Sequence, residues 1–95
     1  MNLPEEYKKD IEQAVLILKK AGCTEMYVFG SLADGNSNSD SDIDIAVKGL
    51  AKENFFKVYG KLLTQLEHPV DLISLDYHKQ FSEILISCGN LHRVA

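Results

Sequence analysis

The sequence predicts an α+β fold, in which a mixed β-sheet carries helices packed mainly on one face. Two amphipathic helical segments alternate with three short hydrophobic strands at 25–29, 42–47 and 70–75. Amphipathic helices need an apolar surface to cover, and one face of a sheet formed by these strands provides it. The predicted order is helix, strand, a short helical turn, strand, helix, strand, helix. A length of 95 residues fits one domain spanning 1–95.

The first helix begins near Pro4, which suits a first helical position, and Glu5 and Glu6 favour the positive end of the helix dipole. Gly22 is predicted to end the helix. Apolar residues recur at intervals of three and four along one face, namely Tyr7, Ile11, Ala14, Val15 and Leu18.

The strands differ in pattern. "EMYVF" (25–29) is typical of a short buried strand, whereas "DIDIAV" (42–47) alternates strictly. The alternation sends isoleucine and valine to one face and Asp42, Asp44 and Ala46 to the other. We expect this second face to stay accessible.

The second helix follows Gly49 and ends at His68-Pro69, because the residue before proline avoids helical geometry. Its apolar face is predicted to comprise Phe55, Tyr59, Leu62, Leu63 and Leu66. Phe55, Phe56 and Tyr59 fit helix packing better than stacking on a base. "VDLISL" (70–75) is the third strand. Asp76 is a plausible N-cap for a last helix at about 77–88, carrying Phe81, Ile84, Leu85 and Cys88.

Composition and charge limit the classes of function. The formal net charge of −4 argues against strong nucleic-acid binding, which usually needs a basic surface. No apolar run is long enough to span a membrane. The N-terminal segment is acidic and polar where a signal peptide would be basic and then apolar. We therefore expect a cytoplasmic protein, whose two cysteines, Cys23 and Cys88, are reduced and partly buried.

The stretch "VFGSLADGNSNSDSDIDIAV" (28–47) carries the candidate chemistry. Asp42 and Asp44 lie two residues apart on one strand face, about 6.5–7 Å from each other. Such crowding would raise at least one pKa unless a cation compensates. Mg²⁺ prefers oxygen ligands and often combines carboxylates with substrate phosphates. Asp71, on the third strand, completes the predicted metal site if the two strands are neighbours.

Gly30 and Ser31 follow the first strand directly. Glycine lets a ligand approach the backbone closely, and amides at the start of a helical turn, beside a serine hydroxyl, can hold phosphate. We expect one end of the stretch to bind phosphates and the other to bind metal.

A calcium loop is an alternative for the acidic segment, since oxygen-bearing side chains also alternate over residues 34–42. Such a loop requires glycine at its sixth position and glutamate at its twelfth. Ser39 and Ile45 occupy those positions, so the pattern disfavours calcium.

Gly30-Ser31, ten further residues and then Asp42-Ile43-Asp44 resemble the GSx10DxD signature of the DNA polymerase beta nucleotidyltransferase superfamily. The resemblance covers about residues 8–90. The size and the helix-strand order look like those of the minimal nucleotidyltransferases (MNT group), which are often paired with all-helical HEPN-domain toxins. It implies a nucleotidyltransferase palm. By the same resemblance, Gly30 and Ser31 would bind the phosphates of a nucleoside triphosphate.

The resemblance further implies a catalytic role for Asp42, Asp44 and Asp71. Asp42 and Asp44 would ligate two Mg²⁺ ions, and Asp71 would complete the metal site and help to deprotonate the attacking hydroxyl. The implied reaction transfers a nucleoside monophosphate, AMP from ATP, to a tyrosine of a cognate HEPN toxin. Two alternatives remain open: transfer to a small molecule, and an inactive palm that binds a helical partner.

Overall fold

The computed structural model describes residues 5–30, 42–77, 80, 83–84 and 91–95. These residues form two helices and a four-stranded mixed sheet, which confirms the predicted α+β fold. In chain order the elements are α1 (Glu5–Lys20), β1 (Glu25–Phe29), β2 (Ile43–Lys48), α2 (Lys52–Gln65), β3 (Val70–Ser74) and β4 (His92–Arg93).

The strand order in the sheet is β3-β2-β1-β4. β2 lies antiparallel to β1 and parallel to β3, and α2 provides the crossover between β2 and β3. This crossover places the third predicted strand directly beside the strand that carries Asp44. The neighbouring position that the metal-site prediction required is therefore present.

β4 was not predicted from the sequence. It pairs antiparallel with β1, and the amide of Val94 donates to the carbonyl of Met26 at 2.8 Å, while the amide of Met26 donates to the carbonyl of Ala95 at 3.1 Å. A strand of two residues is too short to show any periodicity. Its pairing depends on the exposed hydrogen-bonding groups of β1.

One face of the sheet packs against α1 and α2 to form the core. Alternate strand residues enter it, and the inner face of α1 supplies Tyr7, Ile11, Ala14 and Leu18, as the helical spacing predicts. The described core residues from the strands are Met26, Val28, Ile43, Ile45, Val47, Val70 and Leu72. The helices therefore do not cover the opposite face of the sheet, where the carboxylates lie.

α1 ends as expected at Gly22, whose φ is 98°. The amide of Cys23 donates to the carbonyl of Leu18 at 3.1 Å, and the amide of Gly22 donates to the carbonyl of Lys19 at 3.0 Å. These two bonds define a Schellman motif, which satisfies carbonyls that the helix end leaves without partners.

α2 departs from its predicted apolar face at one position. Phe55, Tyr59, Leu62 and Leu66 are buried or half-buried, but the side chain of Leu63 is exposed. The expectation that Leu63 belongs to the core was wrong. A helix resting on a sheet buries a narrow stripe, and Leu63 lies just outside it.

Phe56 departs from the expected helix packing, because its side chain is 80% exposed and is not among the described residues that pack against the core. Its described ring contact is an edge-on packing against Phe55, with ring centroids 5.4 Å apart. Adjacent helical positions point about 100° apart, so Phe55 and Phe56 cannot both face the sheet.

The predicted last helix lies largely outside the described residues, as do Phe81, Leu85 and Cys88. Gln80, Glu83 and Ile84 are helical and exposed. The described hydrogen bond of the Asp76 side chain is to the loop before α2: Oδ2 of Asp76 accepts from the amide of Gly49 at 2.8 Å.

Neither α1 nor α2 is long and apolar enough to cross a bilayer.

Cys23 is buried, and its thiol is free. Burial, with a smaller contribution from the charge of Asp76, raises the pKa of this thiol to about 11. The thiol is therefore protonated at neutral pH, which is typical of a structural cysteine.

Candidate active site

The centre of the candidate site is a pair of carboxylates on neighbouring strands. Asp44 of β2 and Asp71 of β3 are register partners in the parallel ladder, and both point to the face away from the helices. Phe29 of β1 is the register partner of Asp44 on the other side. The sequence prediction that Asp71 would lie beside Asp44 is confirmed.

The electrostatics of this pair are unfavourable in the absence of a cation. The pKa of Asp44 is raised to about 6, first because burial disfavours the charged form and then because of the negative charges of Asp71 and Asp42. A hydrogen bond with the side chain of Asp71 raises the pKa further. Protonated and ionised Asp44 are therefore close in free energy near neutral pH.

Gly30 contacts the Asp44 carboxyl group directly. Its φ is 76°, and a Cβ on this residue would lie 3.2 Å from Cγ of Asp44 and closer still to its Oδ2. Two separate constraints thus require glycine here: the left-handed backbone and the space that the carboxylate occupies. The glycine of the motif therefore shapes the acidic site, a contact separate from the phosphate-binding role that the sequence predicts for it.

Asp42 precedes β2 and is exposed. It is close enough to raise the pKa of Asp44, but among the described residues no three His, Cys, Asp or Glu side chains converge as a ready metal site. Within the part of the chain that the structure describes, the exposed side chain of Asp42 does not complete a three-carboxylate cluster. The observed cluster is thus the Asp44–Asp71 pair with Asp42 nearby.

The second face is less open than expected. Asp71 is exposed and Asp44 is half-buried, but Ala46 is fully buried. Ala46 is the register partner of Tyr27 on one side and Ile73 on the other. A methyl group between two larger side chains is shielded from solvent, and the acidic end of the face remains accessible.

Tyr59, which the sequence assigned only to packing, reaches the site from α2. Its hydroxyl lies 3.1 Å from the carbonyl oxygen of Val70 and 3.4 Å from Oδ1 of Asp71. Helical spacing identifies an inward-facing residue here. It does not reveal that the tip of this side chain meets the candidate third carboxylate.

Other candidate residues lie elsewhere or outside the described chain. Ser31, the predicted phosphate-binding serine, lies outside the described residues. His68, at the predicted end of the second helix, contacts Asp10 of α1 through Nδ1 at 2.7 Å and packs its ring on Tyr7. It therefore contributes to the helix side of the sheet.

A groove of about 450 Å³ runs beside β3, but its described lining does not include the carboxylates. Mostly apolar side chains form it, among them Phe55, Phe56, Leu72 and Tyr77. The candidate carboxylates lie outside this described lining, on the surface of the sheet where Asp44 and Asp71 are neighbours.

The residues present are compatible with Mg²⁺. The donors are all carboxylate oxygens, the type that this ion prefers, and two carboxylates together with substrate phosphates are a common coordination set. Burial raises the pKa of Asp44 most, and the negative charges of Asp71 and Asp42 raise it further, so a cation bound here would relieve their repulsion. Gly30 keeps the approach to the carboxylate free of side-chain atoms.

The sequence as a whole matches the family model for polymerase beta nucleotidyltransferases over residues 8–91. The chain belongs to this nucleotidyltransferase family. The matched range includes both carboxylate strands and the glycine-serine pair at 30–31. No curated protein is similar enough in sequence to count as a match.

Solved structures share the fold of this nucleotidyltransferase. A chain of a toxin–antitoxin complex with AMP-PNP superposes with a TM-score of 0.72 at 23% identity, covering 97% of this chain and 73% of that one. A complex of tri-AMPylated Shewanella oneidensis HEPN toxin with MNT antitoxin gives 0.67 at 22% identity, covering 93% and 71%. A protein described as a minimal nucleotidyltransferase gives 0.67 at 23%, covering 86% and 89%.

Proposed function

We propose that this protein is a Mg²⁺-dependent nucleotidyltransferase that transfers AMP from ATP to a tyrosine hydroxyl of an all-helical HEPN-type partner, in an antitoxin role. The observation that carries the proposal is the register pairing of Asp44 with Asp71, with Gly30 packed against Asp44. Membership of the nucleotidyltransferase family supports the reaction class.

In the proposed reaction the acceptor oxygen attacks the α-phosphorus of ATP, and a new oxygen–phosphorus bond forms. The bond from the α-phosphorus to the oxygen that bridges to the β-phosphate breaks, and pyrophosphate leaves with that electron pair. Asp71 takes the proton of the acceptor hydroxyl. Bound Mg²⁺ would lower the pKa of the nucleophile and stabilise the leaving oxygen, the usual contribution of two metal ions to such a displacement.

The residues of the chain have separate tasks in this scheme. Asp42, Asp44 and Asp71 would hold the cations, and Asp42 would turn inward once positive charge is present. Gly30 and Ser31 would bind the β- and γ-phosphates. Since the chain carries a net charge of −4, the cations supply much of the charge that compensates the triphosphate.

The choice of AMP and of a HEPN-type acceptor draws on the structural neighbours. One is a toxin–antitoxin complex with AMP-PNP, and another contains a tri-AMPylated HEPN toxin with an MNT antitoxin. These descriptions concern those proteins. They suggest the nucleotide and the partner that should be tried first with this chain.

The test is incubation with Mg²⁺, ATP labelled at the α-phosphate and a HEPN-type protein that co-purifies with the chain. We expect label on a tyrosine of the partner, none from γ-labelled ATP, and none with Asp44→Asn. The same assay with each of the other labelled nucleoside triphosphates measures which nucleotide the protein prefers. Stable complex formation without label transfer would contradict the enzymatic proposal and favour a binding module.

A further inference from the structure

We propose that Tyr59 is a positioning residue that holds the Asp71 carboxylate in its productive orientation; this inference rests on the proposed function. The Tyr59 hydroxyl is the polar tip of a partly buried side chain that packs against the core, with its ring edge-on to Phe55 and the centroids 6.0 Å apart. Its single hydrogen is shared between two acceptors, the carbonyl of Val70 at 3.1 Å and Oδ1 of Asp71 at 3.4 Å.

The sheet geometry explains why Tyr59 can reach both acceptors. The amide of Ile43 donates to the carbonyl of Pro69, so in this parallel ladder the carbonyl of Val70 points away from β2. β3 has no other strand neighbour among the described residues. The Tyr59 hydroxyl therefore lies along the free edge of β3, next to the side chain of Asp71.

A hydrogen-bond donor at this point would address a specific problem of the site. When Asp44 is ionised, the exposed Asp71 side chain faces a second negative charge across the strand pair, so repulsion and rotamer freedom both favour its turning away. A donor on the far side from Asp44 holds the charged group in place without adding charge. The hydroxyl supports Asp71 from the edge and leaves the face towards Asp44 open.

The bond to the Val70 carbonyl is a structural role that the hydroxyl would fulfil even without any catalysis. The two roles predict different behaviour on removal of the hydroxyl. Loss of the Val70 contact lowers the stability of the β3 edge. Loss of the Asp71 contact lowers the affinity for Mg²⁺ and the rate of transfer.

The experiment compares Tyr59→Phe with Tyr77→Phe, an exposed tyrosine that loses the same atom, and with Asp71→Asn and the Tyr59→Phe/Asp71→Asn double variant. Calorimetry with Mg²⁺ and the non-transferable analogue AMP-CPP measures metal affinity, and initial rates give kcat and KM. We expect Tyr59→Phe to weaken Mg²⁺ binding by about three- to tenfold and to lower kcat by about tenfold, with KM for ATP within twofold.

In the Asp71→Asn background the same hydroxyl deletion should change Mg²⁺ affinity by less than twofold, because its target is gone. Tyr77→Phe should match the wild type. The inference is overturned if Tyr59→Phe lowers only thermal stability, or if its effect on Mg²⁺ affinity persists without Asp71. If the wild type binds Mg²⁺ and AMP-CPP but transfers no nucleotide, the proposed function fails. The Mg²⁺ affinities of the wild type, the two single variants at Tyr59 and Asp71 and the double variant still decide the role of Tyr59.

Discussion

At the scale of single residues, Gly30 and Asp44 explain why the motif has a glycine and a carboxylate so far apart in sequence. The antiparallel pairing of β1 and β2 makes Phe29 the register partner of Asp44, so the residue after Phe29 meets the carboxyl group. The positive φ of Gly30 then allows the chain to turn without a side chain in that space. The spacing of the motif is thus a consequence of one β-hairpin-like pairing.

Gly30→Ala is expected to destabilise the protein and to abolish most of its activity, because the new methyl group displaces Asp44. The left-handed backbone alone costs about 1–2 kcal/mol for a residue with a Cβ. Gly22→Ala is the matched control, since Gly22 also has a positive φ but no atom within 4 Å of a Cβ. Chemical denaturation of both variants should show a larger loss for Gly30→Ala. Equal losses, with activity retained, would argue against the Asp44 contact.

Asp44→Asn is expected to stabilise the metal-free protein at pH 7–8 by about 1–2 kcal/mol, allowing for solvent screening of a half-buried group. The pKa of Asp44 is raised to about 6 in the fold, so the folded state binds more protons than the unfolded chain between pH 4 and 6. The stability linked to this group is therefore fully present below about pH 4 and is lost as pH rises through 6.

Urea unfolding of wild type and Asp44→Asn from pH 4 to 8 measures this effect. The two curves should diverge as pH rises through 6, and the variant should transfer no nucleotide. Parallel curves over the whole range would show that Asp44 is not perturbed in solution.

At the scale of elements, the connection between α1 and the start of β3 depends on Asp10. This carboxylate is buried, and its oxygens accept from the amides of Glu67 and His68 at 3.0 and 2.9 Å and contact Nδ1 of His68. These bonds fix the turn that leads into β3. They therefore help to set the register that places Asp71 beside Asp44.

Asp10→Asn is expected to lower the free energy of unfolding at pH 7 by about 2–3 kcal/mol, because an amide has one acceptor oxygen and turns a donor towards other donors. Glu12→Gln, an exposed change on the same helix, should have little effect. Thermal unfolding compares the two variants. A similar small shift for both would mean that the Asp10 contacts contribute little.

The pH dependence of this contact has the opposite sign to that of Asp44. Burial by itself would raise the pKa of Asp10, but the hydrogen bonds from Glu67 and His68 together hold it below its ordinary value. Its contribution is therefore present above about pH 4 and is lost as pH falls through the lowered pKa. Wild type should lose stability on acidification below pH 4 more steeply than Asp10→Asn, as unfolding monitored by circular dichroism would show.

At the scale of the whole molecule, binding of Mg²⁺ with a nucleotide should stabilise the fold, since the unfolded chain has no site. At a concentration 100 times the dissociation constant the gain is about 2.7 kcal/mol, which corresponds to a rise of roughly 10 °C or more in Tm for a domain of this size. We expect this shift with Mg²⁺ and AMP-CPP, its reversal by EDTA, and its loss in Asp44→Asn/Asp71→Asn. An equal shift in the double variant would place the ligand elsewhere.

The sequence alone determined the order of α1, β1, β2, α2 and β3, the end of α1, the inner face of that helix and the acidic residues of the candidate site. These features are local: each depends on periodicity, on a glycine or on a motif within a short stretch of chain. Gly22 and the alternation of β2 show this most clearly, because their side-chain chemistry and backbone geometry point to the same structure. Leu63 and Phe56 mark the limit, since periodicity does not define how wide a stripe the sheet covers.

Only the tertiary structure decided which distant groups meet. Three contacts join residues that no local pattern connects. They are the pairing of β1 with β4, the hydrogen bonds of Asp10 to the turn before β3, and the approach of Tyr59 to Asp71. The same holds for the contact of Gly30 with Asp44. Such contacts depend on strand order and on the crossover of α2, and these are set by how the whole core packs.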